Sequence, residues 1–76
     1  MMTKLSELKA GQKAKIRKFT NQETLLKLME MGCVPGEDLV VDQIAPFGDP
    51  ISIKISGYYL SLRISEAENI DVDLID

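Results

Sequence analysis

Histidine is absent from this sequence of 76 residues, cysteine occurs once, and no apolar run approaches the roughly 20 residues that cross a bilayer. The first absence removes the commonest general base and the commonest metal ligand, and with them any Ser-His-Asp or Cys-His arrangement. The second rules out an internal disulfide. The third, together with an N-terminus MMTKLSELKAG whose apolar residues stand singly between charges, leaves no spanning segment and no secretory signal. The glycines do not gather: Gly32 and Gly36 frame a turn, but the Lys-Ser/Thr of a nucleotide-binding P-loop does not follow. Positive charge is not in excess either, and a net charge of -3 argues against nucleic acid as the main partner. The expectation is a cytoplasmic protein in a reduced compartment, without catalysis, cofactor or direct membrane insertion.

What is present fits one domain spanning residues 1–76, since a chain this short buries only about 60% of the surface its unfolded form exposes. Its charges are segregated. Up to Thr20 the chain carries Lys4, Lys9, Lys13, Lys15, Arg17 and Lys18 against Glu7 alone, whereas from Ser65 onward every charge is acidic: Glu66, Glu68, Asp71, Asp73 and Asp76. In a small barrel the two ends become neighbouring edge strands, and mutual compensation explains the segregation better than two binding surfaces do. The outward Lys13, Lys15 and Arg17 either steer an acidic partner or face water, and water is the preferred reading.

The strongest periodicity lies in PISIKISGYYLSLRI, where Ile51, Ile53 and Ile55 alternate with polar residues and Leu60, Leu62 and Ile64 do so again. A two-residue turn at Gly57-Tyr58 pairs Ile55 with Leu60, Ile53 with Leu62 and Ile51 with Ile64, so that every apolar residue meets another. Further strands are expected in GQKAKIRKF, with Ala14 and Ile16 inward, and in EDLVVDQI, with Leu39 to Val41 and Ile44. Between them the sequence predicts a helix with a Thr20-x-x-Glu23 capping box, a face of Leu25, Leu28 and Met29, and Gly32 as its left-handed C-cap. A short helical turn and a last strand presenting Ile70, Val72 and Leu74 on one face close the chain. The sum is a mainly β, small barrel of about five antiparallel strands with one short α-helix inserted between the first two.

Few residues are candidates for chemistry. Cys33, between a helix-ending glycine and an apolar residue, is read as buried packing and not as a reactive thiol. Glu66, Glu68, Asp71 and Asp73 could offer oxygens to a hard cation, but alternating acids on a strand describe a solvated edge more simply. The segment APFGDPISI raises a sharper question. Pro46 and Pro50 restrict their own φ and bias Ala45 and Asp49 toward extended backbone, and Gly48 admits positive φ, so the loop is partly ordered before any contact. Phe47 at its tip is either a lid on the core, the slightly favoured reading because the chain has only Phe19, Phe47, Tyr58 and Tyr59 as aromatics, or an anchor for a partner. Leu26 and Met31, off the main apolar face of the helix, either line a cleft or add to the core. Candidate partner-binding residues are therefore Leu26, Met31, Pro46, Phe47, Gly48 and Asp49.

Taken in order, LSELKAGQKAKI, LMEMGCVPGEDLVV and APFGDPISIKISGYYLSLRISEAENIDV resemble the FeoA family of bacterial ferrous iron transport proteins. The likeness runs from about Leu5 to Val72 and joins an M-G-x-x-P-G turn, an A-P-x-G-D-P loop, a G-Y-x-x-S-L-R strand and an E-A-x-x-I ending. It implies a cytosolic Src-homology-3-like (SH3-like) barrel that acts free-standing on the membrane transporter FeoB, whose GTP-hydrolysing region is the implied docking partner, modulating its assembly or activity. The same fold resembles the C-terminal domain of the diphtheria-toxin-repressor family, which implies a metal-responsive or metal-handling regulatory domain as the alternative. Weak self-association stays open.

Overall fold

Strands β4 (Ile51–Ile55) and β5 (Tyr58–Leu62) form the antiparallel hairpin that the alternation demands, with Ile51, Ile53, Ile55 and Leu62 buried. Its register differs from the expected one. Ile53 faces Leu60, Ile51 faces Leu62 and Ile55 faces Tyr58, because the turn is Ser56-Gly57, with φ of 52° and 83°. Two consecutive positive φ angles are what a type I′ turn requires, and its twist matches that of the flanking strands. Relative to the sequence expectation β5 slides by two residues, which keeps the same side chains inward, and Ile64 passes into the helix that follows. The shift places Tyr58 in the strand, where its hydroxyl donates to the Met31 carbonyl. The structure is a computed structural model and describes residues 2–75; Asp76, counted above among the C-terminal acids, lies outside the described residues.

Strands β2 (Lys13–Phe19) and β3 (Asp38–Ile44) flank helix α1 (Gln22–Glu30). The cap of α1 is Asn21, whose Oδ1 accepts from the amides of Glu23 at 2.9 Å and Thr24 at 3.1 Å. The expected capping residue, Thr20, is engaged elsewhere: its amide and hydroxyl both donate to Asn69, to the carbonyl at 2.8 Å and to Oδ1 at 3.1 Å. At the other end the expected glycine stop is borne out. Gly32, at φ +89°, donates to the Met29 carbonyl and Cys33 to the Leu28 carbonyl, the paired bonds of a Schellman motif, with Leu28 and Cys33 both buried beside it. The expected apolar face is narrower than read. Leu28 is buried and Leu25 half-buried, but Met29 is exposed, because a helix of nine residues meets the barrel along one strip only. Burial also holds the Cys33 thiol protonated, with its pKa pushed up to about 11.

Among the described residues six strands, against about five expected, make one antiparallel sheet in the order β1-β6-β2-β3-β4-β5. The additional strand is β1 (Met2–Lys4), three residues without alternation strong enough to read, so α1 falls between the second and third strands. Irregularities between Ile16 and Lys18 and between Val41 and Gln43 bend β2 and β3. The near-equal extents of 28, 25 and 24 Å show a sheet curled around its core. A 3-10 turn (Leu5–Glu7) inserts Leu5 into that core, and helix α2 (Ile64–Ala67) adds Ala67. The chain ends do neighbour each other. Strand β6 (Ile70–Ile75) lies between β1 and β2, with Lys15 opposite Asp73, Lys18 and Lys4 opposite Asp71, and Arg17 paired with Asp73. The segregated charges compensate one another, although β6 is interior and the edges are β1 and β5. Ile70 and Val72 are buried as expected; Leu74 is exposed, because β6 runs on past the core to the rim.

Candidate docking site

The loop joining β3 to β4 is built as a turn. Gly48 donates its amide to the Ala45 carbonyl at 2.7 Å and Ala45 donates to the Pro50 carbonyl at 3.1 Å, so that both ends are tied across six residues. Pro46 occupies the second turn position and Phe47 the third with negative φ, the type I arrangement that favours proline and glycine where this sequence has them. That geometry turns Phe47 away from the barrel. Its side chain is 100% exposed and touches nothing, so the lid expectation is not met. Ile44 and Ile51, directly opposite each other at the base of the loop, already cover the core there. Leaving a phenylalanine in water forgoes about 1.5–3 kcal/mol of burial.

Asp49, although exposed, is tied to α2. Its Oδ1 accepts from the Ile64 amide at 2.9 Å, which supplies a partner to a helix-end donor of α2 and fixes the loop against that helix. Two residues on, Glu66 accepts from the Arg63 amide at 2.9 Å and from Lys27 on α1 at 2.5 Å. The Lys27 ammonium, then the Arg63 amide, lower the Glu66 pKa below the usual carboxylate range, partly opposed by burial. Helix α2 is thus the joint between the loop and α1, and neither Lys27 nor Glu66 carried a signal for this in the sequence. Leu26, beside Lys27, is 62% exposed, whereas Met31 packs half-buried against the core and accepts from Tyr58. Five residues apart on a helix is about 140° around its axis, so these two do not line one cleft. The structure ties Lys27, the neighbour of Leu26, and Asp49 of the loop to α2, and leaves Met31 in a packing role.

Two of the four acidic residues weighed as cation ligands are engaged elsewhere: Glu66 with Lys27 and Asp73 with Arg17. Among the described residues no three His, Cys, Asp or Glu side chains gather. With no imidazole and one buried thiol, a monomer lacks a closed set of soft ligands. Calorimetric titration of the purified monomer with ferrous iron or zinc is expected to show no site tighter than about 1 µM; a stoichiometric sub-micromolar site would refute this. Among the described residues no helix is long and apolar enough to cross a membrane.

Comparison with known proteins agrees with this architecture. The model of the FeoA domain matches residues 3–74. A Porphyromonas gingivalis protein described as an Fe(2+) transport protein A/Fe(2+) transporter FeoB fusion is 40% identical over 73 residues, which are 95% of this chain and 9% of that protein. The solution structure of an FeoA-like protein from Clostridium acetobutylicum superimposes with a TM-score of 0.90 at 36% identity, covering 99% of this chain and 88% of the other. The zinc-complexed FeoA of Stenotrophomonas maltophilia, described as a prokaryotic SH3 domain protein, gives 0.80 at 30% identity, covering 93% and 89%. The IdeR protein of T. acidophilum gives 0.85 at 18% identity, covering 97% of this chain and 34% of that one, a likeness of fold alone. The fold is therefore the SH3-like barrel expected from the sequence, and with its family model spanning residues 3–74, the chain belongs to the FeoA domain family.

Proposed function

We propose that this domain is a non-catalytic, cytoplasmic accessory of an FeoB-type ferrous iron transporter, docking through the Pro46–Asp49 loop with Phe47 as its anchor and Leu26 as a flanking contact. One observation carries the reading: a phenylalanine fully exposed at the tip of a loop whose backbone is tied at both ends and whose Asp49 is bonded to α2. A large ring already held in position loses little ordering entropy on binding, and such aromatic anchors dominate interface energies. The fusion relative supports the choice of partner, since joining the two modules in one chain raises their effective concentration for each other. The likeness to a repressor rests on fold alone and brings no site with it.

The test is Phe47→Ala. The variant is expected to melt within about 0.5 kcal/mol of the parent in stability, because the ring contacts nothing, while recovery of the transporter from solubilised membranes falls at least about tenfold. Asp49→Ala is expected to weaken recovery less and to lower stability by about 1 kcal/mol through the lost bond to Ile64. Full recovery of the transporter by a stably folded Phe47→Ala variant would refute the docking role of the loop.

A further inference from the structure

The strand registers place five outward side chains in one row across the sheet. Ile75 lies opposite Lys13, Lys13 opposite Val40, Val40 opposite Lys54, and Lys54 opposite Tyr59. Among the described residues Lys13 and Lys54 form no ion pair, although the adjoining row of Asp73, Lys15 and Asp38 is compensated, with Lys15 reaching Asp38 at 3.8 Å and Arg17 bound to Asp73. The Lys54 ammonium stands 5.7 Å from the centre of the Tyr59 ring, itself 60% exposed, which holds that charge over the outer face. Val40 is half-buried between the two lysines and Ile75 remains partly exposed at the end of the row. Two shallow depressions meet at Lys13 and Ile75, one bordered by Leu74 and the other by Asp38, Leu39 and Val40. In a chain of net charge -3, this face combines two lysines outside any ion pair with apolar surface, and a carboxylate bordering it, Asp38, is engaged by Lys15.

We infer that the outer sheet face around Lys13, Val40 and Lys54 is a second docking surface, and that its occupant is an acidic amphipathic helix of a partner protein. The spacing selects the occupant. Lys13 and Lys54 are two strands apart, about 9.5 Å at the backbone, and the row runs across the strands. Residues i and i+7 of an α-helix share one face about 10.5 Å apart, so carboxylates at those positions meet both lysines while apolar residues at i+3 and i+4 lie over Val40. Opposed charges fix register and speed encounter, and the aliphatic contact between them excludes water. The surface is four residues along β3 from the base of the Phe47 loop, and it stands or falls independently of the docking role of that loop.

The test is titration of the isotope-labelled protein with a helical peptide carrying Glu at i and i+7 and Leu at i+3 and i+4, followed by amide shifts. The largest shifts are expected at Lys13, Val40, Lys54, Tyr59 and Ile75, with affinity falling about fivefold between about 50 and 300 mM NaCl as the exposed pairs are screened. The double variant Lys13→Glu, Lys54→Glu is expected to fold like the parent, since both side chains are exposed, to bind the peptide at least about tenfold more weakly, and to regain binding when the peptide glutamates are exchanged for lysines. Phe47→Ala should bind the peptide like the parent. Absence of shifts at about 2 mM peptide, shifts centred on residues 45–50, or tighter binding of the same row to a single-stranded oligonucleotide or to phosphatidylglycerol vesicles would each overturn the inference.

Discussion

Replacing Ile53 by aspartate will unfold this domain. Ile53 is wholly buried at the centre of β4, between Val41 on β3 and Leu60 on β5. The substitution removes a core aliphatic side chain, worth about 2–5 kcal/mol in large-to-small changes, and adds a carboxylate with no partner in an all-apolar interior. Stabilities of about 0.05–0.15 kcal/mol per residue give a chain of 76 residues roughly 4–11 kcal/mol in all, which the combined penalty matches or exceeds. Lys54→Asp, one residue along and on the outer face, is expected to leave the fold intact. Circular dichroism melts and amide shift dispersion distinguish the two. If both variants melted alike, the assignment of faces on β4 would be wrong.

Gly32→Ala is expected to be the most damaging small substitution outside the core. A Cβ at this position would lie 2.0 Å from the Tyr58 hydroxyl oxygen, and the backbone sits at φ +89°, where L-residues bear about 1–2 kcal/mol of strain. Relief requires Tyr58 to swing away from the Met31 carbonyl, forfeiting a hydrogen bond worth about 0.5–1.5 kcal/mol. The expected loss is about 2–3 kcal/mol, and a double-mutant cycle divides it. In a Tyr58→Phe background the hydroxyl and its bond are already gone, so Gly32→Ala should retain only the backbone strain and a tight 3.3 Å approach to the ring carbon Cζ, and cost less. An equal loss in both backgrounds would mean that the Tyr58 contact contributes nothing to the requirement for glycine.

Much of the barrel was legible because burial in a strand follows parity, and parity is local. Ile51, Ile53 and Ile55 on one face, Ala14 and Ile16 on another, and the Gly32 stop of α1 all follow from spacings of two residues or from one special residue. The resemblance drawn from four short motifs likewise named the family whose model matches residues 3–74. Parity cannot see a slide of two residues, however, and the hairpin took that slide because Ser56 joins Gly57 at positive φ and frees Tyr58 to reach α1. The cap moved from Thr20 to Asn21 for a similar reason, since Asn69, 49 residues away, claims the Thr20 hydroxyl.

The sequence by itself determined the inward faces of β2 and β4, the mainly antiparallel architecture and the absence of histidine, because each depends on composition or on neighbours a few positions away. The tertiary structure alone decided whether Phe47 covers the core or leaves it, that Asp49 and Lys27 converge on α2, and that Ile75, Lys13, Val40, Lys54 and Tyr59 form one row. Those outcomes depend on which strands become neighbours and in what register, and that is fixed by packing of the whole core against chain entropy, a balance to which every residue contributes and which no short window of sequence contains.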